Sequence, residues 1–288
     1  MNILVTGGNG FIGFNLIKKL LTEGHSVVSL DDLSIGSKEY EVSGCKYFYS
    51  DITSLWSFDN FSFDICYHLA ALSRIQPSFE NPMRTFTVNV EGCQIVAEWA
   101  RINKVKVIYS GSSSKWSNSF LSPYANSKKI GEDIFKMYKT VYDCDFEICR
   151  FYNVYGPSEF IDGKWAAVIG SWRGLIRQGK PIIIVGDGEQ KRDFTHVDDI
   201  VDGLYMIAIK NERHDDAWEL GSGVNYSINE VFEFFKKRYN NIKKVHVLNQ
   251  QGNYKETIRK NNDALDRLGW FPKKKLEDYI LNLQDNCK

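Results

Sequence analysis

The chain has no surplus of charge. Its 36 Lys and Arg are matched by 36 Asp and Glu over 288 residues, and no basic run breaks the balance. That argues against electrostatic binding to nucleic acid or to a membrane surface. An apolar run long enough to span a bilayer is also missing. The start, Met1-Asn2-Ile3, shows neither a charged n-region nor an apolar h-region, so neither a transmembrane span nor a signal peptide is expected. The six cysteines (Cys45, Cys66, Cys93, Cys144, Cys149 and Cys287) form no C-x-x-C pair and have no histidine cluster beside them, which argues against zinc. Cys66 and Cys149 stand in apolar runs and read as core thiols, a usage that fits the cytoplasm. There is no repeat, low-complexity tract or flexible linker. What remains is a 43% hydrophobic chain with material for one large domain or two modest ones.

The most informative stretch comes first. Asn2 to Val5 is a short apolar run, Thr6-Gly7-Gly8-Asn9-Gly10-Phe11-Ile12-Gly13 is a glycine turn, and Leu16, Ile17, Leu20 and Leu21 recur at helical spacing. Strand, turn and helix in that order place phosphates over the free N–H groups of a helix N-terminus, with Gly7 for the turn, Gly10 for close approach and Gly13 for helix–strand packing. A second β-rich run, Ser26 to Leu30, ends in Asp31, the carboxylate position for a ribose diol. A carboxylate there repels a 2′-phosphate, so NAD is favoured over NADP.

Further strands are expected at 46–50, 64–69, 105–109 and 146–150, and helices at 84–103 and 124–141. This alternation argues for an α/β chain with a parallel sheet covered on both faces. Beyond Tyr155 the texture is less regular: helices at 165–178, 197–209 and 227–239, strands at 182–185 and 244–248, and a Ser227–Glu230 capping box. Tyr124 and Lys128 lie four apart and share a helix face. A free tyrosine is a poor base, but a nearby ammonium favours its phenolate, which could then take or give a hydroxyl proton. The preceding strand ends in serines, Ser110 to Ser114, able to complete such a site.

These motifs, with His68-Leu69-Ala70-Ala71, Tyr124-Ala125-Asn126-Ser127-Lys128, Arg150 to Pro157 and Gly186 to Phe194, occur in one order. The chain resembles the extended short-chain dehydrogenase/reductase family, in particular its nucleotide-sugar epimerases and dehydratases, over nearly its whole length. The resemblance implies a Rossmann-type doubly wound parallel sheet with a smaller C-terminal substrate-binding α/β lobe. The NAD domain would be residues 1–152 with about 195–212, and the lobe 153–194 with 213–288. It implies that Tyr124 is the acid/base, that Lys128 is its partner and holds the nicotinamide ribose, and that Ser112 bonds the reacting sugar hydroxyl. Phe11, Ile12, Asp32, Leu33, Ser34, Gly36 and Ser73 would join the glycines and Asp31 around NAD. Asp51 and Ile52 would flank the adenine, Leu69, Ala70, Ala71 and Asn89 would line the cleft, and Tyr152 would lie beside the nicotinamide. Asn153, Val168 and Arg192 would face the nucleotide sugar.

Family dehydratases carry an acidic pair after the catalytic hydroxyl residue. Here Ser113 and Ser114 stand there, which favours a 4-epimerase of a UDP-hexose or UDP-N-acetylhexosamine. The alternatives are a 4,6-dehydratase, a 4-ketoreductase, or a non-catalytic protein that binds NAD or a nucleotide sugar. A homodimer through the helices starting near Arg84 and Tyr124 is implied too. Three departures stand out. The loop from Lys115 to Ser122 is short, and its Lys115 and Trp116 are expected to bear on the sugar pocket. Gln250-Gln251-Gly252-Asn253 lacks the family's phosphate-binding arginine. The stretch Ser73 to Ser78 would face the sugar, with Arg74 either an unassigned charge there or, in the blander reading, a solvated loop arginine.

Overall fold

The computed structural model describes residues 1–58, 61–210 and 212–284; Cys287 lies outside them. Seven strands form one parallel sheet: β1 (Asn2–Thr6), β2 (Ser26–Asp31), β3 (Lys46–Tyr49), β4 (Ile65–His68), β5 (Lys106–Ser112), β6 (Phe146–Phe151) and, much later in the chain, Trp218–Leu220. The spatial order runs Trp218–Leu220, β6, β5, β4, β1, β2, β3, so the order reverses between β1 and β4. Ligands of open parallel sheets bind beyond the carboxyl ends of the strands at such a reversal.

Helices cover both faces, as buried apolar runs like Ile3-Leu4-Val5 require. On one face Leu16, Ile17 and Leu20 of α1 (Phe11–Thr22) pack with Ile200 and Leu204 of the helix Val197–Ile209. On the other, Val96, Trp99 and Ala100 of Gly92–Asn103 and Phe135 of Pro123–Tyr142 close over Cys66, Val107 and Tyr109. Cys66 and Cys149 are fully buried free thiols. In chain order the helices are α2 (Ile75–Glu80), α3 (Pro82–Phe86), α4 (Gly92–Asn103), α5 (Pro123–Tyr142), α6 (Val168–Arg177), α7 (Val197–Ile209), α8 (Ile228–Arg238), α9 (Asp263–Leu268) and α10 (Leu276–Leu281).

The remaining strands pair in twos. β7 (Val154–Tyr155) joins β10 (Thr195–His196), β8 (Ile182–Val185) joins β13 (Lys244–Val247), and β9 (Lys191–Asp193) joins β12 (Asn225–Ser227). β8 and β9 stand beside α6, α8 and α10 around a separate core of Trp172, Phe194, Phe232, Phe235 and Ile280. The capping box that opens α8 is formed: Glu230 N donates to Ser227 Oγ at 3.1 Å and Ser227 N donates to Glu230 Oε2 at 2.7 Å.

Two expectations need correction. The sheet's last strand, β11 (Trp218–Leu220), and α9 with Trp270 fall in the range expected for the lobe, yet both pack on the α1–α7 face of the large sheet. Burial of Trp218, whose Nε1 donates to Glu147 Oε2 at 2.7 Å, carries the chain back there. The helix expected over 84–103 is interrupted by a π-helical turn, Thr87–Glu91, between α3 and α4. No helix of the described residues is long and apolar enough to cross a membrane.

Gly13 shows how tightly the glycine turn is built. A Cβ there would meet the Gly7 carbonyl oxygen and lie 2.7 Å from Gly8 Cα, both backbone atoms. Gly13→Ala is therefore expected to cost about 1–3 kcal/mol. Urea denaturation checks this, and an unchanged midpoint would show that the turn can relax.

Candidate active site

One continuous cleft of about 570 Å³ runs from the glycine turn to the small lobe. At its cofactor end, Gly10 precedes α1 without a side-chain cap and no acidic residue stands in the first turn. Those N–H groups are left for a ligand's negative charge. Gly7 has φ +74° and a Cβ there would lie 2.7 Å from Ala70 N, so backbone from β1 and β4 closes together under the turn. Asp31 is held in place: its Oδ1 accepts from Leu33 N at 2.8 Å and its Oδ2 from Asn9 N at 3.0 Å. Burial pushes its carboxyl up and those two bonds pull it down. A diphosphate over the turn and a diol at Asp31 fit this cradle.

Gly7, Gly10, Phe11, Ile12, Gly13, Asp31, Asp32, Ser34, Gly36, Asp51, Ile52, Leu69, Ala70, Ala71 and Ser73 all line the cleft. Arg84, unassigned in the sequence, clamps Asp51 at 2.8 Å and Asp32 at 3.1 Å and so ties the rim together. Leu33 contributes through its backbone and a left-handed φ of 58° rather than as a lining side chain.

Two residues lie elsewhere than expected. Asn89 does not line the cleft. It sits in the π-helical turn, accepts from Leu72 N at 2.8 Å, and donates to Leu72 O at 3.1 Å and to Ser127 Oγ at 3.0 Å. All its polar capacity goes into pinning the loop after β4 to α5. Tyr152 is fully buried and its hydroxyl donates to Glu219 Oε2; Phe151 is the residue there that faces the cleft. A buried carboxylate on β11 competes for that phenol, and nothing in the local sequence signals it.

At the reacting end, Tyr124 OH donates to Ser112 Oγ at 3.3 Å. Ser114 supports the same oxygen twice, through its N at 3.2 Å and its Oγ at 2.9 Å. Burial raises the Tyr124 phenol; the Ser112 bond and the charge of Arg74 lower it. Lys128 lines the cleft one turn further along α5, its Nζ 4.5 Å from the centre of the Tyr109 ring, and burial pushes its ammonium down to about 8. Arg74 and Lys128 both line the cleft together with Tyr124. His68 is held neutral, lowered to about 3 by burial and by Lys128. It contacts Thr6 Oγ1 at 2.8 Å.

At the lobe end, Asn153 Nδ2 donates to Asp193 O at 2.9 Å and Val168 opens α6 on the cleft. Arg192 is buried and makes neither of the ion pairs its neighbours Asp187 and Asp193 could offer. It stacks 4.1 Å over Tyr254 and donates to Asn253 Oδ1 at 2.6 Å. Lys115 and Trp116 turn away from the sugar pocket: Lys115 Nζ lies 3.2 Å from Asp216, and Trp116 Nε1 donates to Glu219 at 3.0 Å.

Glu159, absent from the sequence reading, lines the cleft with a buried and unpartnered Oε2, while its Oε1 faces Arg173 at 3.2 Å. Burial pushes its carboxyl from 4.5 up to about 7, against Arg173 and Arg74. Between those values the folded chain keeps a proton that the unfolded chain has released. The Glu159 contribution to stability therefore falls as pH rises through that window, by about 3 kcal/mol. Urea denaturation at pH 5 and pH 8 should show Glu159→Gln gaining on the wild type by up to that amount at the higher pH. Parallel pH dependences would contradict the assignment.

Comparison with known proteins accords with this geometry. The family model described as "NAD dependent epimerase/dehydratase family" matches residues 3–221. A UDP-glucose 4-epimerase of Mycolicibacterium smegmatis is 34% identical over 80% of this chain and 80% of its own. A UDP-glucuronate 4-epimerase of Thermodesulfobacterium geofontis is 31% identical over 96% and 92%. The crystal structure of a UDP-glucose 4-epimerase of Thermotoga maritima with UDP-glucose superposes with a TM-score of 0.91 at 27% identity, covering 98% of this chain and 96% of that one. The chain belongs to the NAD-dependent epimerase/dehydratase family of extended short-chain dehydrogenases/reductases.

Proposed function

We propose that this NAD-dependent enzyme is a nucleotide-sugar 4-epimerase acting on a UDP-hexose or UDP-N-acetylhexosamine. One observation carries the reading: Ser112 and Tyr124 share a hydrogen bond at the cleft, and the positions after Ser112 are serines whose hydroxyls support it. Elimination across C5 and C6 needs a carboxyl acid and base there; Ser113 and Ser114 supply neither. Asp31, set where a 2′-phosphate would be repelled, disfavours an exchanging NADP reductase.

NAD, when bound, would supply the hydride acceptor and donor for the sugar's C4. The chain does the rest. Ser112 positions the 4-hydroxyl, and Tyr124 takes its proton and returns one to the C4 oxygen after the sugar has turned its other face to the cofactor. Lys128, next along the same helix face, holds the ribose. Arg192 and Asn153 hold the nucleotide diphosphate, so that the sugar can turn over without leaving. Arg192 suits this as a planar and permanently charged donor; with no arginine at 250–253, its partners there are Asn253 and Tyr254.

The chain would work in the cytoplasm as a homodimer. Beyond the face packed on the sheet, α4 and α5 present Ile95, Ile134, Met137 and Tyr138 side by side, with Val141 and Tyr142 exposed.

Proton NMR of the purified enzyme with UDP-glucose, UDP-N-acetylglucosamine or dTDP-glucose, without added cofactor, tests the reading. An equilibrium mixture of C4 epimers is expected from at least one UDP-sugar. Tyr124→Phe should lose at least 100-fold in turnover, the order of a general acid/base contribution, while keeping its NAD. A C6 methyl signal from a 4-keto-6-deoxy product would overturn the assignment, as would retained turnover in Tyr124→Phe.

A further inference from the structure

Among the described residues, the arginines at or near the cleft each have a set place except one. Arg84 has Asp32 and Asp51, Arg173 has Glu159, and Arg192 has Asn253 and the Tyr254 ring. Arg74 lines the same cleft as Tyr124, sunk far enough that burial pulls its guanidinium below the ordinary value. Its Nε donates to the backbone oxygen of Trp165 at 2.8 Å. Among the described residues no carboxylate lies within ion-pair distance of it, and its two terminal nitrogens make no hydrogen bond. Glu159, close enough to feel its charge, is engaged by Arg173 instead.

A single bond to a neutral carbonyl is a poor return for withdrawing a guanidinium from water. The Trp165 contact fixes the side chain and leaves the outer edge of the fork open, the edge that matches a carboxylate through two parallel N–H donors. The position of this charge narrows its partner. Arg74 opens α2, whose Ser78 Oγ accepts from Tyr124 N at 3.1 Å, and lines the cleft with Tyr124, so Arg74 stands at the reacting end. Arg192 makes its contacts at the lobe end, with Asn253 and Tyr254. A diphosphate gripped at Arg192 leaves the sugar ring between the two arginines. A neutral hexose offers Arg74 hydroxyls only, whereas a sugar with a carboxylate offers it a counter-charge.

We infer that the cleft selects a nucleoside-diphosphate hexuronate, and that Arg74 is the residue that recognises the sugar carboxylate. The inference rests on the nucleotide-sugar 4-epimerase reading and refines its substrate. A hexuronate is a hexose oxidised at C6, so the C4 chemistry of Ser112 and Tyr124 is unchanged. Ser112 and Ser113, which also line the cleft, add neutral hydroxyls and no competing charge.

The test uses the full-length enzyme with its own bound NAD. Epimer formation and calorimetric binding are measured with UDP-glucuronate, UDP-glucose and UDP-N-acetylglucosamine, for the wild type, Arg74→Gln and Arg74→Lys. The NAD content of each preparation serves as the folding control. The wild type should favour UDP-glucuronate over UDP-glucose by roughly 10–100-fold in both kcat/KM and Kd, the range of a charge-assisted pair. That ratio should collapse toward one in Arg74→Gln and be partly kept in Arg74→Lys. Equal or better use of a neutral sugar by the wild type would reject the role of Arg74 and leave the epimerase reading standing, as would a ratio untouched by Arg74→Gln. Conversely, an Arg74-dependent binding preference for UDP-glucuronate with no C4 epimer from any sugar would keep the anion site and reject the epimerase.

Discussion

The structure depends on one buried guanidinium. Arg150, on β6, reaches Glu132 of α5 at 2.8 Å, Glu219 of β11 at 2.9 Å and Asp216 at 2.7 Å, with essentially no exposure of its own. Three carboxylates from two distant parts of the chain converge on a charge that could not be buried alone. Such clusters add little net stability compared with apolar packing, but removing one partner strands the others, so they fix geometry. Here the geometry is that of the active site. Glu132 lies one turn beyond Lys128 on the helix that also bears Tyr124, and Gly111 at the end of β5 leaves just enough room for it: a Cβ there would lie 2.8 Å from Glu132 Oε1. Ser112, next in sequence, is thereby held in register with Tyr124.

The same cluster accounts for what surrounds the cleft without entering it. Tyr152 gives its hydroxyl to Glu219, Trp116 gives its indole N–H to the same carboxylate and stacks 5.2 Å from Arg150, and Lys115 joins Asp216. The short loop after β5 is therefore a cover for the charge cluster, and the sugar pocket is left to the loop after β4 and to the 159–168 segment of the lobe. Those two meet through Arg74 and Trp165.

Much of the cofactor side was legible in the sequence because its determinants are local. The glycine turn, the carboxylate at the end of β2, the small residues after β4 and the Tyr–Lys spacing on α5 each fall within a single short segment, where period and spacing report directly on geometry. The residues read differently are those whose partners lie far along the chain. Asn89 answers to Leu72 and Ser127, Tyr152 to Glu219, and Arg74 to Trp165, separations of 17 to 91 residues. β11, paired with β6, is held in the sheet by side chains too: Trp218 and Glu219 find Glu147 and Arg150 there. No local pattern announces a buried ion cluster, so Lys115 and Trp116 could be assigned to the nearer pocket.

The central claim is that Ser112 and Tyr124 serve a reaction that oxidises C4 and restores it on the same enzyme. The most direct measurement uses a nucleotide sugar deuterated at C4, turned over in ordinary water, with mass spectrometry of the C4 epimer. The account predicts that the epimer keeps its deuterium at C4, because the hydride leaves and returns within one closed cleft. Loss of the label to solvent, or to a pool of free cofactor, would contradict it.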